Sequence, residues 1–155
     1  LYDKESPEKA YGIIKRMKRG HPNHPVAHFN QGRLFWAEYI HATYEKPKEA
    51  GQYLKAAAKA YTNAVEADAN YAEAFYNRGY VFFEMKRHDR ALKDFKEAAR
   101  LSPDDHRPHF MMGSIYELLK DRKEAISHYR RVLELKPGHS KASEALRELG
   151  AQPAS

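Results

Sequence analysis

The chain has 155 residues, enough for one domain and its core, with no cysteine and a formal net charge of +6. The lack of cysteine excludes disulfides and thiol catalysis, and no apolar run approaches the ~20 residues that a membrane-crossing helix needs. The positive balance favours acidic partners through long-range steering. Much of it is interleaved with acid, as in Lys93-Asp94 and Lys120-Asp121-Arg122-Lys123-Glu124, which is the pattern of a solvated helix face.

From the N-terminus, Leu1 and Tyr2 read as the end of a helix whose beginning is absent. There is no initiator methionine, so the expectation is an excerpt from a longer protein. Ser6-Pro7-Glu8 is a helix start: a capping hydroxyl, proline in the first turn, then an acid. Ala10, Ile14 and Met17 follow at helical spacing, and Pro22 closes that segment. Ile13, Ile14 and Met17 are expected to pack on the next unit, leaving the other side of this helix partly bare and open to self-association. A helix carrying Gly32 and Phe35 comes next, then one carrying Ala57, Tyr61 and Ala64, closed at Asp68-Ala69-Asn70.

The following stretch superimposes on itself without a gap. Residues 72–105 and 106–139 are two 34-residue units in which Gly79 recurs as Gly113, Ala91 as Ala125, Phe95 as Tyr129, Leu101 as Leu135 and Pro103 as Pro137. A fixed period of this size means a stacked array of supersecondary units. In the first of them the spacing predicts a helix over Ala72–Met85, a turn at Lys86-Arg87-His88-Asp89, and a helix over Asp89–Leu101 stopped by Ser102-Pro103. Gly79 and Ala91 lie where paired helices would cross most closely. Ser140–Leu149 is one more amphipathic helix, with Ala142, Ala145, Leu146 and Leu149 on one side, as a cap for the last apolar face.

Phe75, Gly79, Phe82, Ala91, Phe95, Ala98 and Pro103, and in the next unit Met112, Gly113, Tyr116, Ala125, Tyr129 and Pro137, make the chain resemble the tetratricopeptide repeat. Arg78 departs where that family prefers leucine, His109 replaces the first aromatic, and Val132 the second alanine. The resemblance implies an all-α, right-handed superhelix. Its expected division is a partial repeat at 1–24, an elongated one at 25–71, regular ones at 72–105 and 106–139, a capping helix at 140–150 and a tail at 151–155. Gly32 lies 47 residues before Gly79, so the elongated unit holds 13 extra residues. Split between two helices, they would project Glu38 to Leu54 as a hairpin turning near Glu45-Lys46-Pro47, with Tyr39, Ile40, Tyr44, Tyr53 and Leu54 on it.

In this family the first helices line a concave groove. Carried over by position, the groove here takes Val26, Phe29, Asn30, Arg33 and Trp36 from one unit. The next gives Glu73, Tyr76, Asn77, Tyr80, Phe83 and Glu84, and the last Arg107, Phe110, Met111, Ser114 and Glu117. Phe29, Arg33, Tyr76, Asn77, Tyr80, Arg107 and Phe110 are the expected partner-contacting set, because exposed rings with a few charges give contact area at low entropic cost. The expected function is a non-catalytic scaffold or adaptor that binds a peptide with hydrophobic anchors and some acid. One subclass clamps chaperone C-termini with Lys, Asn and Arg. Here only Asn77 and Arg107 fit, with Phe29, Arg33 and Met111 out of pattern.

The alternative is single-stranded RNA laid in a helical-repeat groove. Glu73, Glu84 and Glu117 argue against it, since a phosphate-tracking surface should be consistently basic. Of the nine histidines, His21, His24 and His28 lie together, and His106 and His109 are three apart, but no carboxylate or thiol completes a ligand set and no metal or cofactor is expected. No nucleophile motif or phosphate loop is present, so no enzyme activity is expected either.

Overall fold

The computed structural model describes residues 6–151, with side chains from Lys9 onward. Among the described residues it consists of eight α-helices and no strand: α1 (Ser6–Gly20), α2 (Pro25–Glu45), α3 (Pro47–Ala67), α4 (Ala72–Glu84), α5 (His88–Leu101), α6 (His106–Leu118), α7 (Arg122–Leu135) and α8 (Ser140–Glu148). Helix α1 begins at Ser6; the expected serine cap and the Leu1–Tyr2 helix end lie outside the described residues and side chains.

The strongest packing is within α2–α3, α4–α5 and α6–α7, and each second helix then packs on the first helix of the next pair. The core is accordingly divided into three clusters along the chain, around Tyr61, Phe95 and Tyr129. Those three rings are 34-residue counterparts, and each lies on the glycine of its partner helix. A Cβ built on Gly32 would stand 2.6 Å from the Tyr61 ring, one on Gly79 3.0 Å from Phe95, and one on Gly113 2.7 Å from Tyr129. The repeating glycine is therefore the socket for the repeating ring, and any side chain there would push the paired helices apart.

Helix ends follow the same period. At Lys86 and Lys120 the backbone turns left-handed, with φ of 59° and 61°. The amides of Arg87 and Asp121 then bond back to the carbonyls of Phe82 and Tyr116 at 2.8 Å, which satisfies the last orphan acceptors of α4 and α6. Helix α8 ends alike at Gly150, φ 63°, with the Ala151 amide on the Leu146 carbonyl. Asp105 and Asp121 cap α6 and α7 by accepting from the amides of Arg107 and Glu124.

The hairpin lies where the sequence puts it. Helices α2 and α3 have 21 residues each, against 13 and 14 for α4 and α5, and a single residue, Lys46, joins them ahead of Pro47. Buried Ala42, Ala50 and Leu54 zip the long helices together, while Tyr44, 84% exposed, and Ile40 remain outside.

Two expectations are corrected. Asp94, read as part of a solvated face, is only 3% exposed. Arg78, standing where leucine is preferred, turns inward and donates to both Asp94 oxygens at 2.8 Å; it also donates to Thr62 and lies against the Phe75 and Phe82 rings. A salt bridge between neighbouring helices thus fills the place of an apolar side chain. Ile13, expected to pack inward with Ile14, is 50% exposed, whereas Ile14 is 5% exposed.

Candidate functional site

A cleft of ≈ 460 Å³ is formed by α1, α2, α3 and α4. Its floor is apolar: Ala10, Ile13 and Ile14 from α1, Leu34, Trp36 and Ala37 from α2, and Tyr61 from α3. Three polar side chains converge on it, Asn30 and Arg33 from α2 and Asn77 from α4. A mostly apolar hollow with a few convergent polar groups is the usual form of a recognition site. The Asn77 amide nitrogen donates to the Glu73 carbonyl at 2.7 Å and to its carboxylate at 3.3 Å.

An aromatic run leads on from the cleft. Trp36 lies tilted against Tyr39 at 5.1 Å and meets Tyr80 edge-on at 5.3 Å; Tyr80 continues to Phe83 at 6.2 Å. The Tyr39 hydroxyl donates to Glu84 at 3.2 Å, and burial together with that carboxylate raises the pKa of Tyr39. Burial does the same for Tyr80 and Tyr76.

The expected contact set divides. Arg33 and Asn77 share the cleft, and Tyr80 adjoins it through Trp36. Phe29, Tyr76 and Phe110 do not stand free in a groove. They are repeat counterparts, and each leans onto the second-helix ring of its own unit, at 5.7 Å from Tyr61, 5.6 Å from Phe95 and 5.7 Å from Tyr129. Phe29 is 8% exposed and also lies against the tilted Tyr71 ring, so the expectation that it faces a partner is corrected; Met111, equally buried, belongs to the core cluster around Phe95. The rings line up with the groove in register but lean toward the core, where aromatic pairing and burial reward them.

Arg107 is also held. It donates to both Asp105 oxygens and to Glu73, and its guanidinium covers the Tyr76 ring at 4.8 Å. Those hydrogen bonds hold its pKa above the ordinary arginine value. Burial works against the charge of Asp105, but Arg107 keeps its carboxyl below the usual range. This network ties α4 to α6 across the inner face. Ser114 and Glu117 are engaged in turn by the Tyr129 hydroxyl. The α1 wall of the cleft was not among the expected contacts, and the signal for it is the apolar Ile13-Ile14 pair inside an otherwise basic helix.

Tetratricopeptide-repeat family models match residues 72–105 and 106–139. The chain is a member of the tetratricopeptide-repeat family. Among curated relatives of this repeat chain is the small glutamine-rich tetratricopeptide repeat-containing protein 2 of Mycosarcoma maydis, 28% identical over 110 residues, which are 71% of this chain and 31% of that protein. The chain thus spans less than a third of that relative's length. Among solved structures, a MamA protein superimposes with a TM-score of 0.76 at 19% identity, covering 94% of this chain and 74% of MamA. The second tetratricopeptide domain of human RPAP3, solved with an HSP70 peptide, superimposes with a TM-score of 0.65 at 20% identity, covering 83% of this chain and 99% of that one. At these identities the likeness is one of fold: an all-α superhelix of stacked helix pairs.

Proposed function

We propose that this repeat chain is a non-catalytic binding module that takes a protein or peptide segment on its inner face, within a larger protein or assembly. The carrying observation is the apolar cleft with Asn30, Arg33 and Asn77 converging on it and the Trp36–Tyr80–Phe83 run leading away. The contact set in this reading is Arg33, Trp36, Asn77 and Tyr80, with Phe29, Tyr76 and Phe110 as the packed wall behind it. Arg107 lies along the same face, its charge already neutralised by Glu73 and Asp105. Such a surface suits a segment with apolar anchors and some acid to meet Arg33.

Tetratricopeptide repeats generally mediate protein–protein contact, and the RPAP3 domain with its HSP70 peptide is an instance of peptide binding on this fold. Capture of chaperone tails is not the reading for this chain, because Phe29 and Met111 are buried where that clamp needs polar groups.

The test is capture from a native lysate on immobilised protein, at low salt and at about 0.5 M salt, where screening removes loosely held nucleic acid. A lysine pair at Asn30 and Asn77 (N30K/N77K) fills the cleft without touching the core rings. A protein retained at both salts and lost with that variant supports the assignment. Retention unaffected by the variant contradicts it, and nucleic acid recovered only at low salt would favour RNA.

A further inference from the structure

The two arginines beside the α4–α5 turn have nothing to hold. In helices α4 to α7, Arg78, Arg100, Arg107 and Arg131 each bind a carboxylate, and Arg122 donates to the Leu149 carbonyl. Arg87 and Arg90 make no ion pair and donate no side-chain hydrogen bond among the described residues. Both line one open hollow of ≈ 450 Å³, together with Lys86, His88, Asp89 and, from the end of α6, Leu119. Aromatic faces hold two of its cations in place. The Arg90 guanidinium lies 5.8 Å from the centre of the Phe82 ring, and the Lys86 ammonium 5.8 Å from that of Phe83. The Nδ1 atom of His88 is buried without a hydrogen-bond partner among the described residues.

The flanking carboxylates are engaged elsewhere. Glu84 accepts from the Tyr39 hydroxyl, Glu117 from the Tyr129 hydroxyl and Asp121 from the Glu124 amide. Among the described residues that line the hollow, Asp89 is the one carboxylate, against Lys86, Arg87 and Arg90. Apolar surface adjoins this charge: Leu118 and Leu119, consecutive at the end of α6, are 59% and 49% exposed. We propose that the hollow and the two leucines form a second docking site, for an acidic segment of a partner protein that carries an aliphatic anchor. Planar carboxylates suit a pair of arginines whose guanidinium forks are not already occupied, and the leucines receive the anchor. A nucleic-acid backbone is the poorer match, because a phosphate-tracking surface is consistently basic and has no use for Leu118, Leu119 or Asp89. The site lies at the turn between α4 and α5, apart from the inner-face cleft, and it does not depend on the inner-face reading.

The test is a titration of the whole chain, followed by amide NMR, with a short peptide of aspartate and glutamate around one central leucine. A control peptide carries asparagine and glutamine in place of the acids. The acidic peptide shifts the amides of residues 86–90 and of Leu119, with affinity that falls as salt rises, and the control peptide leaves them in place. R87Q/R90Q, which keeps both side chains long, weakens binding about tenfold or more, and Leu119→Ser weakens it as well. The remainder of the amide spectrum shows that each variant is folded. No shift with the acidic peptide, equal shifts with both peptides, or full affinity in R87Q/R90Q overturns the proposal. Shifts confined to Asn30, Arg33 and Asn77 also overturn it, while leaving the inner-face reading intact. Single-stranded RNA that displaces the peptide and is insensitive to Leu119→Ser would assign the hollow to nucleic acid and equally overturn it.

Discussion

Arg78 and Asp94 form a buried, doubly hydrogen-bonded ion pair between α4 and α5, both bonds 2.8 Å, at a level of the repeat where the neighbouring unit has Met112 and His128. Such a pair is worth little as a net gain over packed apolar groups but is costly to break from one side, because the remaining charge stays buried. Asp94→Ala should therefore destabilise the chain by about 3–5 kcal/mol, while the double exchange R78M/D94L should be close to neutral or stabilising. Urea denaturation of the three proteins measures it. A single variant as stable as the double would show that the pair is solvated.

The glycine sockets give an internally controlled prediction. Gly113→Ala puts a Cβ 2.7 Å from Tyr129, whose hydroxyl is fixed by Ser114 and Glu117, and Gly79→Ala puts one 3.0 Å from Phe95. Each should cost about 1–3 kcal/mol, with Gly113 the worse. Gly12 in α1 and Gly51 in α3 have nothing within 4 Å of a built Cβ, so alanine there should raise stability by about 0.5–1 kcal/mol through helix propensity. Thermal unfolding of the four variants should order them in that way.

Acid should loosen the last repeat first. His109 and His128 face one another, their Nδ1 atoms 3.1 Å apart, so at least one of the two must be neutral to accept. Tyr116 stacks on His128, and Lys96 stands near it; Arg131, Glu134 and Asp105 surround His109. Burial lowers both pKa values, with Lys96 adding to it at His128, and His128 and Arg131 adding to it at His109. A lowered folded pKa means that stability is full above the unfolded histidine value of about 6.5 and is lost as pH falls below it. Histidine proton resonances and denaturation midpoints at neutral and mildly acidic pH read this directly, and H109F/H128F should flatten the dependence.

Lysine in a left-handed conformation is unfavourable, and the chain adopts it twice, at Lys86 and Lys120. Lys120→Gly should leave the fold unchanged and stabilise it by up to about 1 kcal/mol, since the relief of strain exceeds the added chain entropy. A loss of stability would mean that the lysine side chain contributes a contact of its own.

Much of the fold could be read from the sequence because it depends on period. Helix α4 ends one residue before its expected limit and α5 begins one residue before its own, and the long hairpin turns at Lys46-Pro47. Gly79 and Gly113 already marked the close crossings. The inner face was less legible. Register shows that Phe29, Tyr76 and Phe110 occupy one side of the first helices. It does not show that each ring leans back onto Tyr61, Phe95 or Tyr129, because that depends on the gap between helices. Asp94 looked solvated because its partner lies sixteen residues away on another helix, in a place where the family pattern led us to expect an apolar residue.

The central claim is that a partner occupies the inner-face cleft beside Asn77, and photo-crosslinking tests it most directly. A benzophenone amino acid placed at position 77, and in a second protein at the exposed outer position Lys93, is irradiated in native lysate. The account predicts a discrete protein adduct from position 77 and none from position 93. An adduct from position 93 alone, or RNA attached at position 77, would contradict it.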